Sequence, residues 1–211
     1  ITSTVQANTK GGFSIVTYTG NGSVAQSIGH GLSSGAPEFI LVKNRSQADA
    51  WAVYHVGTGN AAHLILDTNA AQTTSSAYWG SFTPTTTLFK VGNDHKLNAS
   101  SENYVAYLWH GVEGYSKFGT YVGNADADGP FIYTGFRPSM LFLKNATAAN
   151  GWFTYDKERD GLNGRNNTLS WQDSTAEDNT YKLDILSNGF KIRGSNNAHN
   201  QSGQTFIYGA W

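Results

Sequence analysis

The chain has 211 residues, a formal net charge of −1, 13% aromatic and 14% charged residues, 24 glycines and no cysteine. That length suits one large β domain or two small ones, and so low a charge argues against amphipathic helices. Disulfides and thiolate metal sites are excluded. The scattered Lys and Arg give no basic run for a phosphate backbone, and no apolar stretch approaches a membrane span, so neither nucleic-acid binding nor membrane insertion is expected.

In chain order, residues 1–11 read as a lead-in. Phe13 to Tyr18 alternates apolar and polar side chains and ends at Gly20-Asn21-Gly22, the pattern of a strand running into a turn. Phe39 to Val42 is a continuous apolar run behind Pro37, which predicts a buried strand, and Tyr104 to Trp109 predicts another. Ser187-Asn188-Gly189, between Ile185 and Phe190, predicts a hairpin. The polar stretches 57–63, 68–77, 93–102, 156–168 and 194–203 read as loops with room for a short helical turn. The chain starts at Ile1 with neither an initiator Met nor a signal peptide, so a piece or processed product of something longer is expected.

The chain also repeats itself. PEFILVKN at 37–44 matches PSMLFLKN at 138–145, an offset of 101 positions, and Trp51 and Tyr54 match Trp152 and Tyr155 at the same offset. Tyr18-Thr-Gly20-Asn21 matches Tyr121-Val-Gly123-Asn124, Phe89-Lys-Val91 matches Phe190-Lys-Ile192, and Tyr104 to Trp109 matches Phe206 to Trp211. The expected organisation is a lead-in at 1–11, one β unit at 12–110, a short joint at 111–116 and a second β unit at 117–211. So short a joint predicts two similar units packed together, even sharing a sheet. The fold class is all-β, a duplicated antiparallel β-sandwich of jelly-roll or lectin-like type.

GFSIVTYTGNGS (12–23), IGHGL (28–32), PEFILVKNRS (37–46), WAVYH (51–55), NASSENYVAYLW (98–109) and GPFIYTGFRPSMLFLKN (129–145) resemble a repeat domain frequent in tail-fibre and other structural proteins of marine bacteriophages. The resemblance covers nearly the whole chain. It implies a virion component near the distal tail, and it assigns no enzymatic activity and no catalytic or binding residues. The second copy departs from the pattern after Trp152, where 156–203 is more polar and more charged.

Tryptophans are the first candidates for a site, because an aromatic face stacks on the apolar face of a sugar. Trp51, Trp152, Trp109 and Trp211 recur at equivalent places, which reads as core. Trp79 and Trp171 lie among polar residues and have no Trp counterpart, so Tyr78, Trp79, Trp171 and Asp173 are the ligand-binding candidates. Asn124, Asp126 and Asp128 before Gly129 resemble the start of a calcium loop, but Gly135 stands where a bidentate Glu is expected; an Asx-rich turn is the plainer reading, and no other cofactor is expected. Asp156, Glu158 and Asp160 before Gly161 alternate with Lys157 and Arg159, as on a solvated hairpin edge. Six Asn-x-Ser/Thr sequons begin at Asn21, Asn44, Asn98, Asn145, Asn166 and Asn200.

Signals of catalysis are weak. The six histidines show no HxxxH or HxH spacing, there is no GxSxG elbow, and the 15 acids sit mostly in turn-like surroundings. Binding or assembly is therefore expected over catalysis. The leading expectation is a virion or extracellular receptor-binding module that recognises a host-surface glycan. Its partners would be copies of itself, a homotrimer first, and other virion proteins. Recognition would sit in loops 68–82, 123–129 and 156–175. The alternatives are a purely structural capsid-decoration or filament subunit and a polysaccharide depolymerase.

Overall fold

A computed structural model describes residues 1–159, 163–164 and 167–211. The chain is all-β with antiparallel sheets, and it divides into two compact units: residues 1–66 with 72–112, and residues 67–71 with 113–211.

The first unit comprises β1 (Ser3–Asn8), β2 (Phe13–Thr19), β3 (Gln26–Gly29), β4 (Phe39–Asn44), β5 (Ala52–His55), β6 (Ala62–Ile65), β7 (Thr73–Thr74), α1 (Ser76–Trp79), β8 (Leu88–Val91), α2 (His95–Asn98) and β9 (Asn103–Trp109). Seven strands form one sheet in the order β1-β2-β9-β4-β5-β6-β7, and β3 pairs with β8 in a second. The expected lead-in is thus a strand: Ser3–Asn8 pairs with β2 along its whole length and forms the sheet's edge. Its sequence, STVQAN, carries a single large apolar residue, because an edge strand with little to bury needs no apolar face.

The second unit comprises β10 (Lys117–Val122), β11 (Asp128–Tyr133), β12 (Met140–Asn145), β13 (Trp152–Asp156), β14 (Leu169–Ser170), β15 (Lys182–Leu186), β16 (Gly189–Arg193), α3 (Asn197–Asn200) and β17 (Thr205–Ala210). Its sheets run β10-β17-β12-β13-β14 and β11-β16-β15. Leu186 faces Gly189 across Ser187-Asn188, the hairpin that the sequence predicts. Among the described residues, each sheet takes its strands from one unit.

In each unit the larger sheet packs one face on the smaller. Val16, Tyr18, Ile40, Val42, Tyr54, Tyr104, Ala106 and Leu108 meet Ile28, Phe89 and Val91 in the first. Tyr121, Leu141, Leu143, Tyr155, Phe206 and Tyr208 meet Ile132, Leu183, Ile185, Phe190 and Ile192 in the second. Side chains alternate along a strand, so the recurring tryptophans fall on the other face. Trp51 and Trp109 are half-buried there with Tyr107, and Phe142 brings Trp152 and Trp211 into one aromatic group. The core reading holds for Trp152, which is fully buried, whereas Trp51, Trp109 and Trp211 are half-buried; none of the four is part of the cluster between the two sheets of its unit.

The same anchoring contacts occur in both units. The Tyr18 hydroxyl donates to Leu97 O, and the Tyr121 hydroxyl to His199 O, each at 2.7 Å. Asn98 Nδ2 donates to Ser23 O and Gly92 O while Oδ1 accepts from Asn21 N; Asn200 Nδ2 donates to Asp126 O and Gly194 O while Oδ1 accepts from Asn124 N. Each asparagine is fully buried and ties together segments with no ladder of their own. A glycine lets each crossing happen: a Cβ at Gly20 would sit 2.2 Å from Ala99 O, and one at Gly123 would sit 2.3 Å from Gln201 O. Lys43 and Lys144 hold the loops that follow β4 and β12 by donating to the carbonyls of Asp49 and Asn150. Lys144 also reaches Asn69 O, and burial lowers its pKa to about 8.

Candidate functional site

The two units differ beside the small sheet. In the first, Ser75 caps α1 by accepting from Ala77 N, and Gly80 ends it at φ 59°. This single turn lies along the segment after β8: Gly92 N donates to Tyr78 O at 2.6 Å and Asp94 N to Ala77 O at 3.0 Å. Tyr78 stacks on His63 at 3.4 Å between centroids, and Trp79 meets Tyr54 edge-on at 5.8 Å.

In the second unit, the counterpart of Gly92 by its bond to the buried asparagine is Gly194. Its N–H goes to Ala127 O instead. No described helix covers this segment, and a cleft of about 290 Å³ opens there, bordered by Tyr181, Lys182, Arg193, Ser195, Asn196 and His199. Lys182, Arg193, Ser195 and Asn196 are exposed, and Tyr181 is half-buried.

His199 is buried where the first unit has Leu97, one turn into the same short helix. Its ring lies 4.7 Å from Phe153 and 4.5 Å from Tyr181, and its Nδ1 lies 2.8 Å from the Tyr155 hydroxyl. Burial lowers its pKa to about 3 against a smaller opposing pull from Asp178, and burial holds the Tyr155 hydroxyl well above its ordinary range. Both groups are therefore neutral, and the Tyr155 hydroxyl and Nδ1 share one hydrogen bond. At the rim, Arg193 is fixed by Asp128 at 2.9 Å and Asp184 at 3.2 Å. Asn196 Oδ1 caps α3 by accepting from Ala198 N, which leaves its amide N–H groups outside that bond. The result is an aromatic wall among exposed donors, with no carboxylate among the described residues that line the cleft, an arrangement whose chemistry suits a hydroxyl-rich ligand.

The residues expected from sequence fall elsewhere. Trp79 is 1% exposed and Tyr78 6%, so neither has a ring face to offer a sugar; they fill the first unit's core. The polar neighbours that made them look exposed belong to the cap of α1. Trp171 is half-buried and stacks on Trp152 at 6.2 Å with 6° between planes. Asp173 is exposed, and bonds from the Thr175 side chain and backbone, then Gln172, hold its pKa down. Neither borders the cleft.

Asn124 accepts from Asp126 N and Asp126 from Asp128 N, successive Asx turns, while Asp128 pairs with Lys191 and Arg193. Among the described residues, no group of three or more His, Cys, Asp or Glu has the geometry to hold a metal ion. Asp156 caps its turn by accepting from Glu158 N and Arg159 N, the place where His55 Nδ1 accepts from Gly57 N in the first unit; Asp160 and Gly161 lie outside the described residues. Of the sequon asparagines, Asn44, Asn98, Asn145 and Asn200 are buried, Asn21 is exposed, and Asn166 lies outside the described residues.

The cleft residues were missed because they are common polar types in a stretch that reads as loop. One signal was present: a histidine on the strand-flanking helix where the repeat places leucine. No described helix is long and apolar enough to cross a membrane. A family model described as a domain of unknown function, DUF7483, matches residues 1–211, and the chain belongs to that family. No curated protein and no solved structure matches it.

Proposed function

We propose that this chain is a glycan-recognising module of a virion or other extracellular assembly, built from one β framework used twice. In this reading the second copy binds and the first is filled. The observation that carries it is the cleft beside α3, where Tyr181 offers an aromatic edge and Lys182, Arg193, Ser195 and Asn196 offer donors around it. The matched tyrosine, asparagine and glycine contacts of the two units support the duplication. The framework is constant, and the segment that α1 occupies in one copy is free to serve a ligand in the other.

Retention of the full chain on a panel of bacterial surface polysaccharides tests this, with Tyr181→Ala and Lys182→Glu alongside. Saturable binding weakened about tenfold or more by either change is expected, since a lost stacking or charged contact is worth about 1–2 kcal/mol. Binding that both variants retain places the ligand elsewhere, and no binding to any member overturns the reading.

A purely structural role is favoured by a different feature. β11 is an edge strand, and Phe131 and Tyr133 on it are 45% and 59% exposed. An aromatic edge of this kind suits strand-to-strand assembly, with a homotrimer the first form to look for. Sedimentation of the chain beside a Phe131→Lys variant tests it, and a monomer in both cases removes the support.

A further inference from the structure

A second arrangement in the first unit takes no part in the cleft described above. Ser34, exposed in the loop between β3 and β4, has its Oγ 2.8 Å from Nε2 of His110, which follows β9 and is 6% exposed. His110 Nδ1 lies 2.8 Å from Gly111 O. A carbonyl oxygen only accepts, so Nδ1 carries the proton of the neutral ring, and Nε2 presents its lone pair to the serine hydroxyl.

The imidazole is held in place. A Cβ at Gly35 would lie 2.7 Å from ring atoms Cγ and Nδ1, so only glycine lets the backbone rest on the ring there. Gly111, whose carbonyl orients Nδ1, is itself fixed by donating its N–H to Glu38 Oε2 at 2.7 Å. Ser34 and His110 border a cleft of about 270 Å³ together with Glu38, Tyr54, Thr83 and Pro84.

We propose that Ser34 and His110 are a nucleophile and general base that cleave small acyl esters. Ser34 Oγ attacks the ester carbonyl carbon as its proton moves to His110 Nε2. The C–O bond to the alcohol breaks, and the alcohol leaves with that proton. Water, deprotonated by the same Nε2, then releases the acid and restores the serine. This is independent of the glycan reading. The second unit lacks the nucleophile: Ile132 pairs with Phe190 as Ile28 does with Phe89, so Gly135 matches Gly31, and the shorter stretch that leads to β12 has no counterpart of Ser34.

A third contact sets the pH dependence. Thr9 O also lies 2.8 Å from Ser34 Oγ, and one hydroxyl proton cannot serve both acceptors. When His110 is protonated, Nε2–H donates to Oγ, and the serine proton turns to Thr9 O; the nucleophile is then off. When His110 is neutral, the serine donates to Nε2 and is on. The titratable groups that bear on it are Glu38, through Gly111, and His30, which burial and the nearby His110 keep less readily protonated than usual.

The test is hydrolysis of p-nitrophenyl acetate by the full chain, followed by labelling with a fluorophosphonate and peptide mapping. Turnover that saturates, rises with pH, falls to background in Ser34→Ala and falls at least about tenfold in His110→Gln is expected, with the adduct on Ser34. Ser34 is exposed, so its alanine variant decides the matter even if His110→Gln unfolds. Release that Ser34→Ala leaves unchanged, or an adduct on another residue, overturns the proposal.

Discussion

The segment after β8 and the segment after β16 have the same frame and opposite fates. Each leaves its strand, passes a glycine whose carbonyl accepts from a buried asparagine, and enters a one-turn helix. After β8 the space alongside is closed by Ala77 and Tyr78 of α1; after β16 the described residues leave a cleft there, with a histidine in place of leucine beneath. Backbone bonds that cross between distant segments must be matched in any copy of the frame, whereas a side chain that only fills space can be exchanged.

The most forceful way to break this comparison is to remove the asparagines. Asn98→Ala and Asn200→Ala each leave two carbonyls and one N–H without their partner at a fully buried side chain, and each is expected to cost about 2–3 kcal/mol. Urea unfolding monitored by tryptophan fluorescence checks it. Similar losses are expected from the two, and a large loss from one alone would mean that the units do not share a frame.

The paired tryptophans should separate. Trp152→Ala removes a fully buried ring and is expected to cost about 3–5 kcal/mol. Trp51→Ala removes a half-buried one and is expected to cost about 1–2 kcal/mol, by the same unfolding measurement. Equal costs would show that the outer faces of the two large sheets are less different than their burial.

The Leu97/His199 exchange gives the finest distinction. Folding lowers the pKa of His199 to about 3, so the unfolded chain takes up a proton that the folded chain refuses. Its contribution is fully present above the unfolded value of about 6.5 and is lost as pH falls towards about 3, at up to about 1.4 kcal/mol per pH unit. His199→Leu, which installs the first unit's residue, should flatten this acid slope while costing stability at neutral pH, because the buried Tyr155 hydroxyl loses its partner. Denaturant midpoints between pH 7 and pH 5 decide it; an unchanged slope would locate the acid sensitivity in other groups, His30 and His63 first.

Several strands were legible because their signals are local. Period-two alternation marked β2, and a two-residue Ser-Asn turn marked the β15–β16 hairpin. β1 was missed because an edge strand with one large apolar residue carries no such signal. In the run from Phe39 to Val42 both faces are apolar, so alternation could not say which side chains meet the core and which the outer face; the same ambiguity hid the true places of Trp51 and Trp152. The Ser34–His110 pair escaped motif reading because its members stand 76 residues apart, joined by the pairing of β9 with β2 and β4 and not by spacing.

By itself the sequence determined the all-β class, the internal correspondence at an offset of 101 positions and the scarcity of charge, since composition, turn residues and repeats are properties of the chain in one dimension. Only the tertiary structure decided that the asparagines of four sequons are buried, that Trp79 is core, that α1 lies along the segment after β8 in the first unit, and that Tyr181, Arg193 and His199 meet around a cleft in the second. Burial and proximity belong to the packed chain: a polar residue in a loop reads the same whether it faces water or bonds three backbone groups in the interior, and only packing tells the two apart.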